Sequence, residues 1–164
     1  MQRLTTMEIR KQYLHFSAAH FTIFSATERE RLHGHNWRVG ALITGPVRED
    51  GLCFDYAVYK DLLRSLCARF DEYTLLPNLS PHLKIEEDRE YYCVTHAKDK
   101  MFFLKSDTIV MPVRNVTIEE LADYLLQQLV ENKKPLAEHD IQNIRLEVSS
   151  GPDQWASSEW SATD

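Results

Sequence analysis

Residues 33 to 44, HGHNWRVGALIT, alternate without a break: His33, His35, Trp37, Val39, Ala41 and Ile43 fall on one parity and the residues between them on the other. A period of two sustained over that length does not fit a helix, whose apolar stripe advances in steps of three and four. The segment is therefore a long strand. Residues 8 to 21, EIRKQYLHFSAAHF, read as its neighbour, with Leu14, Phe16, Ala18 and His20 on one face and His15, Ser17 and Ala19 on the other. A loop of about a dozen residues joins the two, and GPVREDG supplies turn chemistry after the second.

The remaining segments extend this β-β beginning. LCFDY, 52 to 56, reads as a short strand running into a helix, AVYKDLLRSLCARF, in which Val58, Leu62, Leu63, Leu66 and Phe70 recur at helical spacing. LLPNLSP, 75 to 81, breaks the pattern. Residues 84 to 113 carry aromatic and β-branched patches around a polar HAKDK turn and predict a hairpin with a further short strand. NVTIEELADYLLQQLVENKK predicts a helix, with Thr117 three residues before Glu120 as a capping box and Ile118, Leu121, Leu125 and Leu129 as the apolar stripe. IQNIRLEVSS, 141 to 150, alternates as a last long strand, and GPDQWASSEW adds a short one. The order defines an α+β chain with no internal repeat, read as one domain over 1–164.

Composition excludes several classes of function. The 164 residues are 43% hydrophobic and 27% charged, ordinary for a soluble globular domain. A formal net charge of -6 argues against a nucleic-acid binder that works by neutralising phosphates, while a local basic pocket for a small anion is still permitted. Cys53, Cys67 and Cys93 are odd in number and lack C-x-x-C spacing, so neither a disulfide framework nor a thiolate zinc knuckle is expected. With no apolar run of about 18 residues and a charged N-terminal segment, the chain is expected to be cytoplasmic and free of the membrane.

His33 and His35 project from one strand face about 6–7 Å apart, close enough to share an ion. Zinc binds imidazole nitrogen at about 2.0–2.1 Å, and a catalytic ion takes three protein ligands and keeps a fourth position open. A hairpin closed across the 21 to 32 loop brings His20 beside the pair as the third. The alternative is a pair of partly exposed strand histidines with His20 satisfied in the core.

FSAAH, then LHGHNW, then GLCFDYAVYKDLL, then NVTIEELADYL together resemble the 6-pyruvoyltetrahydropterin synthase and 6-carboxytetrahydropterin synthase family across roughly 8 to 76 and 112 to 148. The resemblance implies the T-fold, or tunnelling fold: a four-stranded antiparallel sheet with two helices on one face, assembling as a homo-oligomer, commonly a hexamer, with active sites between subunits. It implies Zn2+ held by His20, His33 and His35, and lyase chemistry on the C6 side chain of a 7,8-dihydropterin, namely 7,8-dihydroneopterin or its triphosphate, in pterin, folate or deazapurine biosynthesis. Residues 84 to 111 form an insertion relative to compact members.

Three positions depart from the family's commonest pattern. Arg29 stands where pyruvoyl- and carboxy-forming members carry a cysteine, while Glu30, in ERLHGH, is similar to the type III branch, in which a glutamate replaces that cysteine. Glu30 is thereby the implied acid/base, Glu28 a solvated loop charge, and Cys53 and Cys67 small buried hydrophobes. Asp71 and Glu72 fall where an Asp-His relay would stand, either as catalytic helpers or as a helix end. The glutamate that holds the pterin ring aligns with Val148, so Glu147 would bind substrate only if a β-bulge flips its parity; otherwise Asp153, Glu159 or backbone takes that role. The alternatives to the first reading are pyruvoyl or carboxy chemistry by a route without cysteine, and a zinc- and pterin-binding protein without turnover.

Overall fold

The alternation of residues 33 to 44 is realised as a 14-residue strand that forms the axis of the molecule. The structure, a computed structural model, describes residues 2–163. In chain order they form β1 (Leu4–Ile9), β2 (His15–His20), β3 (His33–Pro46), α1 (Tyr56–Ala68), β4 (Tyr73–Pro77), β5 (Lys84–Asp88), β6 (Tyr91–His96), β7 (Asp99–Leu104), β8 (Thr108–Met111), α2 (Ile118–Val130), α3 (Lys133–Glu138), β9 (Asn143–Gly151) and β10 (Gln154–Ser161). β2 and β1 lie end to end along one edge of β3, pairing antiparallel with residues 33–38 and 41–46. On the other edge β9 runs antiparallel to residues 38–44, and β10 follows it outward. Counting β1 and β2 as one interrupted strand, this is the expected four-stranded antiparallel sheet. The two longer helices cover one face, α2 against β9 and β10 and α1 against β2 and α2.

Burial follows the predicted parity. Trp37, Val39, Ala41 and Ile43 of β3, Ile144, Leu146 and Val148 of β9, and Leu121, Leu125 and Leu129 of α2 are all within one core. Phe16 of β2 lies in register with Trp37 of β3, their rings stacked at 6.2 Å. The opposite face of the sheet is polar. There Arg10 crosses β3 at Gly40, where a Cβ would come within 3.2 Å of Arg10 Cγ. The guanidinium can therefore reach Glu147, the residue opposite Gly40 on β9.

Several expected boundaries differ. Residues 8 to 21 are two strands, not one, because the chain turns at Lys11–Leu14 and resumes in a shifted phase. Residues 52 to 55 are irregular, not a strand; Asp55 caps α1 by accepting from the Ala57 N–H at 2.9 Å. LLPNLSP contains most of β4, which runs parallel to β2 and β8 and widens the sheet. The 84–111 insertion is a three-stranded antiparallel meander, β5 to β7, followed by β8. The meander buries Val94 with Phe21, Ile23 and Leu76 in a second, smaller cluster. The capping box is half formed: Thr117 accepts from the Glu120 N–H, but the Glu120 carboxylate turns to the backbone and guanidinium of Arg114.

Because that threonine bond is long, at 3.4 Å, Thr117→Ala is expected to cost about 0.5–1 kcal/mol. Urea unfolding should show a lower midpoint with an unchanged m value.

Candidate active site

His20 and His33 are register partners across β2 and β3, and His35 stands two residues on, opposite Ala18. All three share the face of Trp37, whose indole edge supports the rings of His20 and His35 at 4.8 and 5.2 Å. Their ligand atoms lie within 4.8 Å of one another, and the Nε2 atoms of His33 and His35 are 3.0 Å apart. Two nitrogens bound at about 2.0–2.1 Å to one tetrahedral ion stand about 3.3 Å apart, so the spacing suits a shared metal.

The far sides of two of the rings support the same conclusion. His20 Nδ1 donates to the Val116 carbonyl at 2.7 Å, and His33 Nδ1 to the Arg31 carbonyl at 2.7 Å. A ring that donates from Nδ1 presents a lone pair at Nε2, which is how metal-binding histidines are oriented. His20 Nε2 is buried with no hydrogen-bond partner, an arrangement that a cation in the cup would satisfy. Burial pulls the His20 pKa down to about 4, against the upward pull of its Val116 bond, and the neighbouring His33 and His35 add to the fall. Burial and His33 likewise lower that of His35. Neutral imidazoles are the form a metal needs.

Glu30 stands at the rim, its Oε2 3.8 Å from His33 Nε2. Partial burial pushes its pKa up, but bonds from the Thr22 hydroxyl and N–H, and the pull of His33 and His20, outweigh burial and leave it below the usual carboxylate range. The Thr22 N–H donates to Glu30 Oε2 at 3.0 Å, and the Glu30 N–H donates to the Thr22 carbonyl at 2.8 Å. Beyond Thr22, the Asn115 side chain bonds both the N–H and the carbonyl of Ile23. Adjacent residues Asn115 and Val116 therefore hold the Glu30 loop and the His20 ring together.

The other expected site residues are placed differently. The Asp71 carboxylate accepts from the Ser17 N–H at 2.8 Å, tying the end of α1 to β2. Glu72, in the left-handed region at φ 65°, lines a groove of about 460 Å³ with Ser17, Asn36, Thr74 and His35. Glu147 is not brought to the histidines. β9 pairs with β3 without a bulge from Asn143 to Ser149, so Glu147 faces away from the cup, between Arg10 and Arg145, and Val148 is sealed in the core. Glu28 is exposed. Cys53 and Cys67 are buried, and burial raises both thiols, that of Cys67 to about 12, which keeps them protonated and unreactive. Thr22, Asn115 and Val116 were not anticipated; two of the three contribute backbone groups, which carry no side-chain signature.

Three imidazoles converge beside a carboxylate whose pKa is lowered, a donor set that could hold a metal ion with a candidate base at its rim. The chain belongs to the 6-pyruvoyl tetrahydropterin synthase family, whose profile matches residues 8–160. A provisionally named 6-carboxy-5,6,7,8-tetrahydropterin synthase of Pyrococcus abyssi is 27% identical over 159 residues, covering 95% of this chain and 93% of that protein. The crystal structure of the Plasmodium vivax 6-pyruvoyl tetrahydropterin synthase superposes with a TM-score of 0.92 at 28% identity, over 97% of this chain and 99% of that one. A further P. vivax structure, TM-score 0.93 and 27% identity over 97% and 99% of the two chains, replaces a catalytic glutamate with alanine. As a family member, this chain is an enzyme of the tetrahydropterin synthase type, with lyase-type chemistry on pterins.

In metal-free protein, His20 stays neutral in the folded state down to about pH 4 but takes up a proton in the unfolded chain below its ordinary 6.5. The linked stability, on the order of 3 kcal/mol, is present above pH 6.5 and lost progressively as pH falls from there through about 4. Urea titrations at several pH values should show this fall, and His20→Gln should flatten it.

Proposed function

We propose that the protein is a zinc-dependent lyase that acts on the C6 side chain of 7,8-dihydroneopterin or its triphosphate, with Glu30 as the general base. The observation that carries this reading is the Glu30 carboxylate, ionised and 3.8 Å from His33 Nε2 at the rim of the three-histidine cup. The P. vivax relative with a catalytic glutamate supports it. His20, His33 and His35 would hold the ion, which when bound supplies Lewis acidity that acidifies the C–H next to the substrate's hydroxyl-bearing carbons.

The chain's own groups do the rest. Glu30 accepts the side-chain proton at a carboxylate oxygen, and Thr22 keeps that oxygen in place before the transfer. Glu72, on the groove that reaches His35, is the second carboxylate available to pass a proton. Asp71 serves the α1–β2 junction, and Glu147 is engaged by two arginines on the face away from this chain's own histidines. Cleavage toward 6-hydroxymethyl-7,8-dihydropterin is the outcome that a glutamate base at this place implies. A 6-carboxy product is the second reading, supported by the name of the P. abyssi relative. We also read the protein as a cytoplasmic homo-oligomer, a hexamer by family likeness. The outer edges of β1 and β10 carry no partner strand among the described residues, and all three cysteines are unpaired.

Zinc-loaded protein incubated with either substrate should yield a fluorescent hydroxymethylpterin on chromatography after oxidation. Glu30→Gln should lower kcat by about 10²–10⁴-fold, and His35→Ala should drop bound zinc well below one equivalent. No product from either substrate at high enzyme concentration would defeat the lyase reading.

A further inference from the structure

Arg29 and Glu30 are consecutive in the loop between β2 and β3, and their side chains take opposite directions. Glu30 reaches the histidine cup. Arg29 reaches the inserted meander. Its guanidinium lies over the Phe21 ring, 5.5 Å from the centroid, donates to the Glu30 carbonyl at 3.0 Å and approaches Asp99 Oδ2, at the start of β7, to 3.3 Å. Phe21 in turn stacks on Phe103 of β7, at 6.5 Å with the rings 19° apart. Earlier in the loop, the Ser25 carbonyl is bonded at 2.9 Å by Nε2 of His96, the last residue of β6 and only 1% exposed.

These contacts matter because the loop does little to hold itself. Its internal backbone bonds are those of Phe24 and Ser25 to the Glu28 carbonyl and of Glu30 to that of Thr22; the Ser25 hydroxyl accepts from the N–H groups of Thr27 and Glu28, the Glu30 carboxylate from that of Thr22, and Asn115 holds the loop from outside at Ile23. A loop with so few backbone bonds opens readily, whereas a base displaced by about 1 Å loses about 100-fold in rate. The meander supplies what is missing. Phe21 and Ile23 of the loop complete its small core, and Arg29 and His96 tie down the segments on either side of the turn. A lone exposed ion pair would achieve little. The Arg29 side chain, though, is only 20% exposed and engages a carboxylate, a carbonyl and a ring together, a set that the single ammonium of lysine cannot reproduce.

We infer that the β5–β7 meander is a positioning clamp for the catalytic loop, with Arg29, Asp99 and His96 as the positioning residues that set Glu30 against the histidine cup. The inference rests on the reading of Glu30 as the base. Asp99 is half exposed, so substitutions there leave the fold intact.

The test compares Arg29→Lys, Asp99→Ala and Asp99→Glu with the unaltered zinc-loaded protein, by hydrogen–deuterium exchange and by steady-state kinetics on 7,8-dihydroneopterin. Arg29→Lys and Asp99→Ala should speed exchange over residues 22–31 by about tenfold, leave β2 and β3 unchanged, and lower kcat about 10- to 100-fold at a KM within about threefold. Asp99→Glu should restore both. Unchanged exchange in the loop, or a loosened loop with unaltered kcat, overturns the clamp. If the unaltered protein makes no product, the lyase reading falls by itself and exchange alone decides: loosening upholds the clamp, and no loosening overturns it.

Discussion

The site depends on the register of β2 against β3. Six successive pairs, from His15 with Arg38 to His20 with His33, set one histidine directly across from another and leave the third two residues away on the same face. A slip of one residue would turn His20 to the opposite side of the sheet. What prevents the slip is the buried aromatic pair of Phe16 and Trp37, four residues from His20 and two from His35. Trp37 also supports both imidazoles and anchors its own ring nitrogen on the Ala18 carbonyl at 3.2 Å. The burial that stabilises the sheet is therefore the same contact that aligns the nitrogens.

Environment then separates groups that look alike in the sequence. Glu30 and Glu147 are both glutamates with basic residues nearby. Glu30 is kept charged by hydroxyl and amide donors from Thr22 and by the histidines beside it, with its side chain about one third exposed. Glu147, 6% exposed, has its charge met by Arg10 and Arg145 and serves to hold β1, β3 and β9 together on the polar face. Such a buried carboxylate with two arginine partners would be costly to strip of either one.

What could be read in the sequence follows the range of the interactions. β3 and α2 were legible because their periods are long and one-sided, and the histidines and Glu30 because they sit on or beside β3. The break between β1 and β2 leaves a trace in the sequence, a change of phase: Met7 and Ile9 are inward on odd positions, whereas Leu14, Phe16 and Ala18 are inward on even ones. β4 was missed because Leu75, Leu76 and Pro77 are all buried, as in strands covered on both faces, so no alternation appears. The fate of Glu147 was hidden because it depends on Arg10, 137 residues away, passing over a glycine. Asn115 and Val116 act at similar range, and Val116 acts through its carbonyl alone.

Those two residues give the molecule one further property. Val116 orients the His20 ring and Asn115 fastens the loop that carries Glu30, yet the two are joined by a single peptide bond just before α2. A shift in how that helix begins is felt at both functional groups at once. Substitutions in the two segments cannot then have independent effects. The start of α2 and the β2–β3 loop thus form one mechanical unit, fastened at His20 and at Ile23.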